Sequence, residues 1–290
     1  MTDQAARLRR IACEHRDQCG RPESRLPLVI VAGGNRGVGT TSVAIRLAHA
    51  LAQHGELTTL VDADFARRDA TSWFVSRPRQ GIVEVMTGQA SVDEVSLQVA
   101  ENLQLIPATL SPNELQNNRQ AIPCLIDSVR KLRRDRDWII VDVGNRVSPL
   151  HATLHDVASD LVLVSSGDEI AVMNTYAALK RLHSAGNDVA SNSTVHLLLN
   201  RTNDVQNAAA VHKRFAGTAE RFLDTQIQAP GSFGNFDLSP PASIDNDCGR
   251  GILVLAESLL NRSAASAADN QYAKREISVK QLNKSTTSTD

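Results

Sequence analysis

The sequence of 290 residues encodes an α/β domain: a doubly wound, mostly parallel sheet with helices on both faces. Three observations carry that reading. Short, nearly continuous apolar runs recur along the chain, as strands covered on both faces require. Stretches with helical spacing lie between them. Hydrophobic residues make up 42% of the chain, enough to bury a sizeable core at this length.

The first 25 residues stand apart from that pattern. TDQAARLRRIACEHRDQ, residues 2–18, puts Ala5, Leu8, Ile11 and Ala12 on one helical stripe, with Thr2 or Asp3 as cap. CGRPESR at 19–25 then interrupts it with Gly20 and Pro22 and reads as a linker. From Leu26, strands and helices alternate. The strand candidates are 26–32, 57–63, 102–108, 137–143, 160–166 and 195–200. Helical patterns occupy the gaps, for example 41–54, 92–100, 121–134 and 170–185. From about Pro230 the alternation fades: PGSFGNFDLSPPAS at 230–243 is loop-like, and GILVLAESLLNRS at 251–263 is one more apolar helix. Residues 264–290 are rich in Ala, Ser, Thr and Asn with scattered lysines, a composition expected to stay disordered. The expected division is therefore an N-terminal helix and linker over 1–25, one domain over 26–263 and a tail over 264–290.

Charge and cysteine content exclude several functions. Lys and Arg total 31 against 32 Asp and Glu, so no global field draws the chain to nucleic acid or an anionic membrane. Cys13, Cys19, Cys124 and Cys248 form no CxxC pair and no zinc spacing, as expected of reduced thiols in the cytoplasm. The polar N-terminus carries Arg7, Arg9 and Arg10 without an apolar run behind them, so no leader is expected. Nor does any segment approach the roughly 20 apolar residues of a membrane span. The basic run KLRRDR at 131–136 suits the end of a helix better than a DNA contact. His151 and His155 lack a third ligand and are expected to be surface histidines.

VIVAGGNRGVGTTSVAIRLAHAL, Val29 to Leu51, runs an apolar strand through a glycine-rich turn into a helix. Backbone amides converge on phosphate oxygens at such a turn, and the helix dipole adds partial positive charge. Gly33, Gly34, Gly37 and Gly39 supply the turn and the close approach, while Thr41 sits where a hydroxyl would meet Mg²⁺. LVDADF ends a strand with Asp62 and Asp64 on alternate positions, a pair able to hold Mg²⁺ through water or polarise an attacking water. WIIVDVGN puts Asp142 at the end of another strand, where open parallel sheets bind ligands. Any one of these aspartates could simply cap a loop; together they make a nucleotide site.

Those stretches resemble the deviant Walker A, MinD/ParA class of P-loop ATPases. The family loop reads KGGVGKTT, and the matching stretch here is NRGVGTTS: Asn35, Arg36, Gly37, Val38, Gly39, Thr40, Thr41 and Ser42. The resemblance spans about 26–262 and implies a P-loop NTPase fold with ATP and Mg²⁺ as cofactors. It places Asp64 at the water-activating position, Asp142 with Thr41 and Asp62 on the metal side, and Asn200 with Arg201, in LLLNR, beside the adenine. Within the class, the chain is similar to the FlhG/FleN (YlxH) regulators of flagellar number and placement. DQAARLR fits that family's N-terminal motif, which implies that Asp3, Gln4, Ala5, Leu8 and Arg9 contact a partner GTPase of the FlhF type. EIAVMNTYAALKRL at 169–182, with Tyr176 and Lys180, resembles the family segment after the fifth strand. The resemblance also implies a cytoplasmic, nucleotide-dependent homodimer. Peripheral membrane contact would fall to QYAKREISVKQLNK at 271–284, which has lysines but few bulky apolar residues and would bind a bilayer marginally. GIVEVMTGQASVDEV and LQLIPA, within 81–108, also look like the bacterial tyrosine kinases of capsule synthesis, but only Tyr176 and Tyr272 are present where those kinases carry a tyrosine cluster.

The chain departs from the pattern around the outer phosphates. Asn35 stands for the signature lysine and Thr40 for the phosphate-binding lysine, and the family's DTGAG becomes Asp142-Val143-Gly144-Asn145-Arg146. Charge-assisted contacts are worth about 1.5–3 kcal/mol each. Losing two weakens ATP binding by roughly two to four decades, and hydrolysis by more, unless Arg36 or Arg146 compensates. The expected function is thus an ATP-binding flagellar regulator with weak or absent ATPase activity. The alternatives are a pseudo-ATPase acting purely as an interaction module, and a ParA-like partition protein, which would need salt-sensitive DNA binding.

Overall fold

The computed structural model describes residues 26–109, 128, 138–145, 154–155, 157–185, 193–202, 205–228 and 251–263. The expected helices at 2–18 and 121–134 (residue 128 apart), the loop at 230–243, the tail, His151 and Arg146 lie outside the described residues.

The strands are β1 (Leu26–Gly33), β2 (Thr58–Asp62), β3 (Leu97–Ala100), β4 (Leu103–Ile106), β5 (Trp138–Asp142), β6 (Ala158–Ser166), β7 (Thr194–Asn200) and β8 (Ile227–Gln228). They form one sheet in the order β3-β4-β2-β5-β1-β6-β7-β8. Every neighbouring pair is parallel except β3 and β4. The helices are α1 (Thr40–Gln53), α2 (Asp69–Phe74), α3 (Ile82–Met86), α4 (Val92–Val95), α5 (Glu169–Ala185), α6 (Val205–Leu223) and α7 over 251–263. This is the doubly wound fold that the apolar runs predict.

The core sits where strands are sealed on both faces. Leu28 to Val31 on β1, Ile139 and Ile140 on β5 and Leu161 to Val164 on β6 have essentially no exposure. Each such side chain contributes about 1.5–3 kcal/mol on burial. α1 lies over β5, β2 and β1 with Val43, Ala44, Leu47, Ala48 and Leu51 buried at helical spacing. α5 packs on β6, and α6 on α5, β7 and β8. The register aligns Val31 with Asp142 and Asp62 with Asp142, so the acidic strand ends come to one edge of the sheet.

At the opposite pole a polar clamp fastens α7. Asp160, near the start of β6, accepts a hydrogen bond from His196 Nε2 of β7 at 2.8 Å and pairs with Arg262 of α7. Burial alone would push the Asp160 carboxyl up; the His196 hydrogen bond and the Arg262 charge outweigh it and hold it below the usual range.

Two expectations fail. The segment 92–100 is not one helix: α4 ends at Val95 and the chain runs on as β3, antiparallel to β4. Ser91 and Glu94 form a capping box that starts α4, and extended Ser96 stops it after one turn. His155 is not on the surface. It is 1% exposed, its Nε2 lies 2.9 Å from Ser193 Oγ, and its ring meets His183 edge-on.

Candidate functional site

β1 ends at Gly33, and six residues later α1 begins behind Gly39, which takes the left-handed conformation at φ 93°. No side chain caps the helix and no acidic residue sits in its first turn. The first amides of α1 are therefore left for a partner outside the helix. The loop between is held from three sides. Gly33 N donates to Gly144 O at 2.8 Å. Asn200 Nδ2 donates to Val38 O at 2.7 Å, and its Oδ1 accepts from Arg201 N at 2.9 Å. Gly34 abuts the backbone of α5: a Cβ there would lie 2.1 Å from Thr175 N. Position 34 thus needs glycine for its own packing as well as for any phosphate.

An open cleft of about 470 Å³ lies over the loop. The loop side contributes Asn35, Arg36, Gly37, Gly39, Thr40, Thr41 and Ser42; the far wall contributes Asp64, Arg67, Asp69, Ser72 and Trp73; Gly144, Asn145 and Arg201 complete it. Asn35 Oδ1 accepts from Arg36 N at 3.0 Å. Thr40 is 7% exposed, and its hydroxyl fills the space beside Gly33, where a Cβ would come within 2.2 Å of it.

Asp62 and Asp142 are fully buried, and Asp64 is 7% exposed at the cleft. Asp62 serves as a brace. Its Oδ2 accepts from Thr71 N at 2.7 Å and Thr71 Oγ1 at 2.6 Å, and its Oδ1 from Asp64 N at 3.2 Å. Thr71 Oγ1 in turn accepts from Ala108 N at 2.7 Å, so Asp62 anchors α2 and the wall it carries. Asp142 Oδ1 accepts from Gly144 N at 3.0 Å, whereas its Oδ2 has no protein partner. Burial and the neighbouring Asp62 charge push Asp142 up to about 7, against hydrogen bonds from Thr41 and the Gly144 amide. Asp62 is pushed up to about 6, by burial first, and burial also raises Asp64.

A buried carboxylate oxygen without a donor, beside the Thr41 hydroxyl, fits a divalent cation. Mg²⁺ commonly takes one or two carboxylates and fills its remaining positions with water and phosphate oxygens. Among the described residues no three His, Cys, Asp or Glu side chains form a metal centre.

Of the residues singled out, Asn35, Arg36, Gly37, Gly39, Thr40, Thr41, Ser42, Asp64 and Arg201 line the cleft, while Asp62, Asp142 and Asn200 are buried and do not line it. Arg67, Asp69, Ser72 and Trp73 also line the cleft and were not foreseen. The only local signal was the pair of cations Arg67 and Arg68, three and four residues after Asp64.

The AAA domain family model matches residues 28–195. The antiactivator FleN of Pseudomonas aeruginosa is 24% identical over 212 residues, covering 70% of this chain and 72% of that protein. The flagellum site-determining protein YlxH of Helicobacter pylori is 23% identical over 154 residues, 52% of each. Among solved structures, the septum site-determining protein MinD of Pyrococcus horikoshii, complexed with Mg-ADP, superposes with TM-score 0.62 at 15% identity, covering 82% of this chain and 98% of that one.

Proposed function

We propose that this chain, which belongs to the AAA domain family of P-loop proteins, is a MinD-like regulator of flagellar number or placement that binds ATP with Mg²⁺ and turns it over slowly or not at all. One observation carries the nucleotide half: the Asp142 carboxyl, hydrogen-bonded by Thr41, keeps Oδ2 without a protein donor, and the glycine loop it adjoins leads into an uncapped helix. The names of the FleN and YlxH relatives support the flagellar half.

In this reading the loop amides from Gly37 to Ser42 hold the phosphates, and Thr41 and Asp142 hold the metal side. Asp64, in the cleft wall, accepts a hydrogen bond from a water and orients it. Bound Mg²⁺ would neutralise charge on the outer phosphates. Asn200 fixes the loop from below, and Arg201 borders the cleft on the same side. Thr40 and Asn35 supply no cation, which sets the expectation of weak turnover.

Isothermal titration with Mg·ATP tests this. Heat of binding with a Kd in the micromolar range is expected; no heat at high micromolar nucleotide would retire the switch and leave a pseudo-ATPase acting as an interaction module. The missing lysines favour that second reading. A nucleotide-dependent rise in mass by light scattering would support a homodimer. The DQAARLR stretch supports a GTPase partner of the FlhF type. Deleting residues 1–19 is expected to leave the core folded and remove stimulation of that GTPase; undiminished stimulation would refute the assignment.

A further inference from the structure

We propose that Arg67 supplies the side-chain cation for the outer phosphates that Thr40 and Asn35 cannot, with Asp69 holding its guanidinium in readiness. This inference rests on the nucleotide reading above and assigns a residue within it.

Three arginines line the cleft: Arg36, Arg67 and Arg201. Arg36 is exposed on the loop itself. Arg201 follows Asn200 at the end of β7, on the side away from Asp64 and α2. Arg67 stands on the opposite wall, three residues after Asp64, facing the first turn of α1 across the cleft. It is the cleft arginine that shares a wall with the water-orienting carboxylate.

The backbone that carries Arg67 is built to a fixed shape. Arg67 N and Arg68 N both donate to Asp64 O, at 3.1 and 2.8 Å, and Ala66 N donates to Asp64 Oδ1 at 3.2 Å. Arg68 closes the turn in the left-handed region at φ 54°, a conformation that strains a non-glycine residue. α2 then begins at Asp69 and is tied down through Thr71 to Asp62. The position is rigid, while the side chain is half exposed and can turn.

Its present partner is one that a phosphate can displace. Arg67 Nε lies 2.8 Å from Asp69 Oδ2, with side chains 47% and 43% exposed. A pair this open holds only weakly, being screened by solvent. A guanidinium on a polyphosphate gains two parallel charge-assisted bonds. Asp69, once released, remains in the first turn of α2, where the helix dipole favours its charge. The swap therefore leaves neither group stranded.

The test uses the full chain and calorimetry with Mg·ATP, Mg·ADP and AMP. Arg67→Met is expected to weaken ATP binding on the order of tenfold to a hundredfold and to leave AMP binding unchanged. Arg67→Lys should recover part of the loss. Asp69→Asn should tighten ATP binding severalfold by freeing Arg67. In a Thr40→Lys background, Arg67→Met should cost less, because the loop then carries its own cation. Wild-type affinity in Arg67→Met, or equal losses for ATP and AMP, would overturn the assignment while leaving nucleotide binding intact. A wild-type chain that binds no nucleotide would bring down the underlying reading, and this one with it.

Discussion

Gly144 shows how little freedom single positions have here. Its φ is +64°, and a Cβ would come within 2.2 Å of Asp64 Oδ2. Gly144→Ala must both strain the backbone and push Asp64 aside. We expect a loss of about 1–3 kcal/mol in urea denaturation, with weaker nucleotide binding at matched folded fraction. At this scale the sequence was legible where chemistry depends on residue type and order. Thr41, at the start of α1, hydrogen-bonds Asp142, at the end of β5, and Asp64 lies near enough to bear on the same carboxyl. It was not legible where two roles are open to one side chain. Nothing in LVDADF says that Asp62 spends its oxygens on Thr71 and Asp64 N while Asp142 keeps one free. Those outcomes depend on α2, whose place the local sequence does not announce.

Among elements, α7 owes its seat to the clamp at the base of β6 and β7. Arg262→Met leaves Asp160 with the His196 hydrogen bond; we expect about 1–3 kcal/mol lost. Amide exchange should accelerate over 251–263 while α1 stays protected, and uniform acceleration would show instead that α7 is integral to the global core. The six long apolar strands were readable because burial on both faces forces continuous apolar runs. Segment 92–100 misled because alternating residues in SLQVA fit a helical stripe nearly as well as an edge strand, and the stop lies in one extended serine. α6 carried a readable stripe, Ala208, Val211, Phe215 and Ala219, all buried, yet its polar remainder masked it.

For the whole molecule, the buried carboxyls give stability a pH dependence. Asp62 and Asp142 sit on paired strands with values near 6 and near 7, both above the ordinary 3.8. The folded chain therefore holds protons that the unfolded chain releases, and stability falls as pH rises from about 4 through about 7. His183, lowered by burial, works in the opposite sense around its ordinary 6.5. Thermal melts without divalent cation should give a lower Tm at about pH 8 than at about pH 5. Asp142→Asn should flatten that slope, and Mg²⁺ with nucleotide should raise the Tm more at the higher pH. A slope unchanged in Asp142→Asn would place the cause elsewhere.

The clamp on α7 has a practical consequence. Leu26 aligns with Ala158 at the same pole where Arg262 meets Asp160, while Gly33 aligns with Val164 beneath the cleft. Eight residues of β1 span about 25 Å. A fluorophore or affinity handle placed directly before Leu26 would start a strand's length from the cleft.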